Sequence, residues 1–280
     1  MRTLSTPEML SVWERTYGRS ATYKALALLA AACPESRPDE LARLSLGERD
    51  GLLLALRESL FGPELSAVSV CPNCGDRIEL SLSVGEFRDA IAAGGERQLG
   101  REEPGDGGTV GSDGYRVRFR LPNSLDLVAI ESVSDPEEAR DRLLQRCVVS
   151  VERERARGPE SGRSQSEPDP ARQGSERSGN WEHVDPSSLP RGVLARVADG
   201  IEQACSPADF SLDVDCHECG HRWETGIDMA GYLTQEIDAW AQRVIREVHA
   251  LAVVYGWSEA EILAMSPARR QAYLDLAGHR

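Results

Sequence analysis

The sequence predicts an α+β fold, a split ribbon of two Cys-x-x-Cys β-knuckles with an inserted strand-helix subdomain and N- and C-terminal helical arms. Three observations predict it. Both ends carry apolar residues at three- and four-residue spacing, as in Ile237, Trp240, Val244, Val248, Leu251 and Tyr255. Period-two alternation flanks each of two Cys-x-x-Cys pairs. Two polar stretches, 94–114 and 152–180, interrupt the order between them.

In chain order, Thr6 is a candidate cap with Pro7 at the first helical position and Glu8 following, and Gly18 closes the short helix after Tyr17. A second apolar helix is expected over Thr22 to Ala32. A third runs from about Leu46 to Leu60, with Leu53, Leu56 and Leu60 on one face, before Gly62-Pro63 ends the helical region. From Leu65 the period becomes two. "LSAVSV", the Cys turn, and Ile78, Leu80, Leu82 and Val84 make a strand, a knuckle and a strand. A short helix is expected near Glu86 to Ala92. Residues 94–114 hold eight glycines in 21 positions and are read as a flexible loop, because so little apolar surface cannot offset the entropy of ordering.

Order resumes in "YRVRFRLPNSLDL" (115–127), where Val117, Phe119 and Leu121 alternate with Arg116, Arg118 and Arg120. Asn123 or Ser124 can cap a short helix. Asp135-Pro136-Glu137-Glu138 opens another that carries Ala139, Leu143, Leu144 and Cys147 inward. Residues 152–180 contain no apolar side chain larger than alanine and read as a disordered insertion. A helix over about Pro190 to Gln203 follows, with Val193, Val197 and Ile201 one turn apart. In the last segment Gly256 stops the long helix, Ser258 with Glu261 forms a capping box, and Ser266-Pro267 starts a final helix.

These readings divide the chain into an N-terminal helical region (1–62), a first ribbon half (63–93), the glycine-rich loop (94–114), a strand-helix insertion (115–151), a disordered linker (152–185), a helix (186–205), a second ribbon half (206–232) and a C-terminal helical region (233–280).

Composition excludes several functions. A net charge of −14 and 5% aromatic residues argue against a general binder of nucleic acid or anionic membrane. No apolar run approaches the roughly 18 residues of a membrane span, and residues 1–15 lack the apolar core of a signal peptide, so a cytosolic start is expected. Seven cysteines, four of them in two Cys-x-x-Cys pairs, favour metal over disulfides in a reducing compartment.

"SVCPNCGDRIELSLSV" (69–84) and "FSLDVDCHECGHRWETGIDM" (210–229) share one layout: alternating strand, Cys-x-x-Cys-Gly, strand. Cys71, Cys74, Cys216 and Cys219 can therefore give four thiolates to one tetrahedral zinc ion of structural type, at about 2.3 Å per bond. Gly75 and Gly220 suit the tight turns that aim backbone N–H groups at sulfur. Redox chemistry places its first Cys at a helix N-terminus, whereas both knuckles here lead into strand-like sequence. Zinc hydrolysis needs an open coordination position, which four thiolates do not leave. Glu218, between two ligands, reads as a solvated turn residue; His217 and His221 are either replacement or outer-shell ligands or plain surface residues of the knuckle. No catalytic residue stands out, and none is expected.

A zinc ribbon also raises nucleic acid. Residues 64–90 hold five acids and two bases, and 206–232 hold six acids and one base, the wrong sign for phosphate. The Arg116, Arg118, Arg120 stripe reads as a solvated strand face with acidic neighbours, and Arg269-Arg270, in a segment of six acids and five bases, as solvated surface. His249 reads as a packed or surface residue.

Four segments carry a family resemblance: "SVWERTYGRSATYKALALLAAACP" (11–34), "SLGERDGLLLALRESLFG" (45–62), "RFRLPNSLDL" (118–127) and "EVHALAVVYGWSEAEILAMSPARRQAYLDL" (247–276). The chain resembles proteins of tailed-phage and contractile-injection-system gene clusters, described as baseplate or baseplate-hub assembly proteins and related to the phage T4 baseplate-hub assembly chaperones. The block "YGWSEAEILAMSPARRQAYL" (255–274) is its most specific piece. Other members carry the two knuckles too, and the two polar insertions are where this chain departs from the compact pattern.

The resemblance implies a non-enzymatic assembly factor or structural component of a contractile baseplate. Its partners would be hub or wedge proteins, with no membrane and no small-molecule substrate, and it would stay in the cytoplasm or enter the assembled particle. The apolar faces near 22–32 and 237–255 are candidate partner surfaces or intramolecular packing. The alternatives are a zinc-ribbon regulator that binds nucleic acid and, third, a redox enzyme.

Overall fold

The computed structural model describes residues 1–85, 106–155, 181–204 and 211–278. The expected helix near 86–92 lies outside the described residues, as do 94–105 of the glycine-rich stretch and 156–180 of the polar insertion. The chain forms two compact units: unit 1 from residues 1–98 and 208–280, and unit 2 from the contiguous stretch 99–207.

Unit 1 begins with α1 (Thr6–Arg15), α2 (Ala21–Ala32), α3 (Pro38–Arg43) and α4 (Leu46–Phe61). The first cap is Ser5 rather than Thr6, since Ser5 and Glu8 close a capping box and leave Thr6 and Pro7 in the first turn. Helix α3 was not anticipated; at six residues it is too short to show a period.

The hairpin β1 (Glu64–Val70) and β2 (Arg77–Ser83) follows, antiparallel, with Leu65 opposite Leu82 and Val70 opposite Arg77. After unit 2 comes a second antiparallel hairpin, β7 (Ser211–Asp215) and β8 (Arg222–Gly226). The chain then enters α8 (Met229–Tyr255), whose 27 residues extend about 40 Å at 1.5 Å per residue. It ends in α9 (Glu259–Leu263) and α10 (Pro267–Gly278).

Helix α8 is the spine of unit 1. Its Met229, Ala230, Leu233 and Ile237 share one buried cluster with Ala25, Leu28 and Leu29 of α2 and Leu53, Leu54 and Leu56 of α4. Further along, Ala241 and Val244 pack with Leu10 of α1. The N- and C-terminal helices are thus not separate arms but two parts of one core. The apolar face near 22–32 packs mainly on residues 229–240 and on α4, and that of 237–255 packs largely on α1 and Leu263; Tyr23, Ile245, Val253 and Val254 are the large apolar residues of these two stretches left exposed.

Three carboxylates of α8 each receive a cation from a different helix. Arg57 of α4 grips Glu236 through two bonds of 2.9 and 2.8 Å and donates to the Gly62 carbonyl. Lys24 of α2 reaches Asp238 at 2.7 Å, and the Trp13 indole of α1 donates to the same carboxylate at 2.8 Å. Arg270 of α10 bonds Glu247 at 3.1 Å. Cationic side chains as buried as Arg57 and Arg270 are tolerated because each is paired and also donates to a carbonyl, Met265 in the case of Arg270.

Unit 2 is an antiparallel sheet ordered β3-β4-β5-β6, from β3 (Asp106–Ser112), β4 (Tyr115–Arg120), β5 (Val148–Glu154) and β6 (Trp181–His183). Helix α5 (Ser124–Ile130) and helix α6 (Pro136–Cys147) connect β4 to β5, and α7 (Arg191–Ala204) packs on β3 and β4. Strands β3 and β6 and the last residues of β5 correct the expectation of loop and linker. By composition the glycine-rich stretch lacks the apolar surface to fold, but Gly107 within it serves a close approach. A Cβ at Gly107 would overlap the Phe119 ring, and one at Gly200 of α7 would lie 2.9 Å from both Phe119 and Val110. Phe119 is thereby seated between β3 and α7, in a core with Val117, Val151, Val193 and Val197.

The other anchor of unit 2 is Asp126, which is wholly buried. It accepts from Arg120 at 2.6 and 2.8 Å, from Arg146 at 2.9 Å and from the Asn123 backbone at 3.0 Å. Burial pushes its pKa up, but Arg120 foremost, then the Asn123 amide and Arg146, outweigh burial and hold it below the ordinary value of 3.8. Of the two candidate caps, Asn123 and Ser124, Asn123 caps α5.

Candidate metal centre

Each hairpin of unit 1 ends in a knuckle, and the two knuckles repeat one hydrogen-bond pattern. Cys71 N–H donates to the Asp76 carbonyl at 2.8 Å and Gly75 N–H to the Cys71 carbonyl at 2.9 Å; Cys216 N–H donates to the His221 carbonyl at 2.9 Å and Gly220 N–H to the Cys216 carbonyl at 2.9 Å. Gly75 and Gly220 take φ of 78° and 67°, the left-handed conformation that turns the chain back within one residue and favours glycine.

The turns bring Cys71, Cys74, Cys216 and Cys219 together, with all four sulfurs within 4.8 Å of one another. The Cys71–Cys219 and Cys74–Cys216 pairs are 3.6 Å apart. A disulfide would need about 2.05 Å. Four sulfurs at about 2.3 Å from a shared tetrahedral centre would stand about 3.8 Å apart, close to the spacing seen. The four cysteines fit a metal ion in both donor chemistry and geometry. Cys71 and Cys216 are buried, while Cys74 and Cys219 face solvent. Ile78, Leu80, Leu212, Val214 and Trp223 pack around the buried pair and join the hairpins.

The two outer thiols, Cys74 and Cys219, are pushed in opposite directions. The Asn73 side chain, and after it the His221 backbone N–H, stabilise the Cys219 thiolate and hold its pKa down to about 6. At Cys74 the Asp76 backbone N–H pulls the same way, but desolvation and the sulfurs of Cys216, Cys219 and Cys71 outweigh it and push the pKa up to about 12. The hairpins supply little compensating positive charge: residues 64–85 and 211–228 hold eight carboxylates and two arginines. A divalent cation is the counter-charge such a cluster accepts.

The other sequence candidates lie outside this cluster. His217 and Glu218 are exposed. His221 stacks on Trp223, ring centroids 5.9 Å apart, and its backbone rather than its imidazole serves the knuckle. Asn73 was missed; its only sequence signal is its place between the two ligands of the first knuckle. Among the arginines, Arg120 is held by Asp126, Arg116 lies 3.5 Å from Glu152 and over the Trp181 ring, and Arg270 is buried against Glu247. Arg269 lies over the Tyr273 ring. No helix among the described residues is long and apolar enough to cross a membrane.

No curated protein and no solved structure matches the chain. A family model does, from residue 12 to residue 167, a span that takes in the first knuckle and stops before Cys216. That span is more than half of the chain, which therefore belongs to the family described as T4 bacteriophage base plate protein.

Proposed function

We propose that the protein is a non-enzymatic assembly factor or structural component of the baseplate of a phage-like contractile injection system, acting through contacts with hub or wedge proteins. Family membership is the observation that carries this reading. Within it, Cys71, Cys74, Cys216 and Cys219 hold one structural Zn2+, supported by their all-sulfur donor set and their spacing. The ion's chemistry is coordination alone: with four thiolates no position is left for water or substrate, so the site fixes the two hairpins rather than catalysing a reaction. Those hairpins flank the start of α8 and the end of α4, so the metal sets the placement of the helices that form unit 1's core.

Mass spectrometry of mature particles and of assembly intermediates, with co-purification of hub and wedge proteins, tests the role. Presence in both populations marks a component and presence only in intermediates marks an assembly factor; absence from both overturns the proposal. Elemental analysis of the purified chain should find about one zinc per chain, the stoichiometry of one four-thiolate site.

A further inference from the structure

Strand β1 has a second edge. Among the described residues it pairs with β2 alone. Cys71 N–H and the Pro63 carbonyl bond across the hairpin, to Asp76 and Val84, so the odd-numbered residues of β1 direct their backbone groups toward β2. The even-numbered ones point the other way. Ser66 shows it, because the Tyr232 hydroxyl of α8 accepts from its N–H at 3.2 Å and donates to its carbonyl at 3.0 Å. At that residue a side chain does what a neighbouring strand would do. Beyond it, the outward N–H and C=O groups of Val68 and Val70 continue the edge, and these two valines are 52% and 57% exposed. Next to them lies a groove of about 230 Å³, with β1 on one side and Thr225, Gly226, Ile227 and Asp228 on the other.

We infer that this edge takes up an extended segment of a partner protein by strand addition, with β-branched residues alternating with lysine or arginine. Outward backbone groups in a row, with no partner strand among the described residues, select extended chain, and the groove's apolar lining of Ala67, Leu80, Leu212 and Ile227 selects apolar side chains on one of its faces. The other face, which the exposed Val68 and Val70 share with Glu64, Glu79 and Arg77, belongs to hairpins that hold eight carboxylates against two arginines, and this selects positive charge there. Tyr232 sets the register by ending the addition at Ser66. The inference rests on the zinc-held scaffold reading only in that the hairpins must be fixed in place.

The test uses the full zinc-loaded chain and a blocked heptapeptide of alternating valine and lysine, with its valine-glutamate counterpart as control. The lysine peptide should bind at least tenfold more tightly. Val68→Pro removes only an outward donor, and should weaken binding at least tenfold while zinc content and melting stay those of the wild type. Val68→Lys and Val70→Lys keep the backbone intact and should weaken it as well, which covers the case in which the proline variant fails to fold. Equal binding of the two peptides, or unchanged binding by the lysine variants, overturns the inference. So does concentration-dependent self-association that these variants abolish, which would make a second copy the occupant. Zinc is measured on the same samples: metal without peptide binding removes the edge and leaves the scaffold, whereas peptide binding without metal does the reverse.

Discussion

In unit 1 the polar ties between α8 and the N-terminal helices join residues 225, 214 and 179 positions apart: Trp13 and Lys24 to Asp238, and Arg57 to Glu236. In unit 2 the buried Asp126 finds its two arginines only 6 and 20 positions away. Closing a long loop costs chain entropy that grows with the logarithm of its length, so unit 1 begins with the larger deficit. It meets that deficit with a centre of four thiols and a long shared helix, while unit 2 relies on a local carboxylate network and on glycines that admit one aromatic ring. Sequence distance decides which kind of tie a region needs.

The contrast is broken most severely at the four-thiol centre, where the proposed zinc would sit. Replacing Cys71 and Cys74 by serine should release the ion and cost unit 1 several kcal/mol, against the roughly 10–16 kcal/mol that structural zinc contributes in small peptides. Hydrogen exchange should show protection lost in both hairpins and along α8 but kept in β4, β5 and α7. If unit 1 keeps its protection without the metal, the proposed role of the site in fixing the hairpins is wrong.

The mirror experiment is Asp126→Ala, which leaves Arg120 and Arg146 without their buried partner and should cost about 3–5 kcal/mol. Unit 2 should lose protection while zinc content stays unchanged; zinc loss in this variant would mean that the two regions are not independent.

Acid should separate the units more gradually. The folded pKa of Asp126 lies below its ordinary value of 3.8, so its contribution is complete above that value and is lost as pH falls further toward the folded pKa. Thiolate ligands compete with protons at higher pH than carboxylates do. An acid titration should therefore release zinc and open unit 1 before β4 and β5 lose protection.

The smallest effect is expected at Gly200→Ala. The added methyl would sit 2.9 Å from Phe119 and Val110, an overpacking cost of about 1–3 kcal/mol that the gain in helix propensity, about 1 kcal/mol, only partly offsets. A urea midpoint lowered in the single variant and largely restored by adding Phe119→Leu would show that ring and glycine are matched.

What could be read in the sequence follows the same division. Each Cys-x-x-Cys-Gly turn is complete within five residues, and the capping box Ser258/Glu261 within four, so local pattern located both. Strand β3 was hidden because its glycines, counted as entropy, are explained only by Phe119 of the next strand and Gly200 of a distant helix. Strand β6 has three residues, too few to show alternation. The pairing of Arg57 with Glu236 leaves no periodic trace, and neither does the use of Tyr232 to cap Ser66.

The 142-residue separation of Cys74 and Cys216 also sets a schedule on the ribosome. At about 5–20 residues per second, the first thiol pair waits about 7–28 s for the second to be made. Unit 2, which is contiguous, is synthesised entirely within that interval. The ribbon can then close only after the chain has been translated past Cys219, so a prematurely terminated product is left with two unmatched thiols and an open half-site.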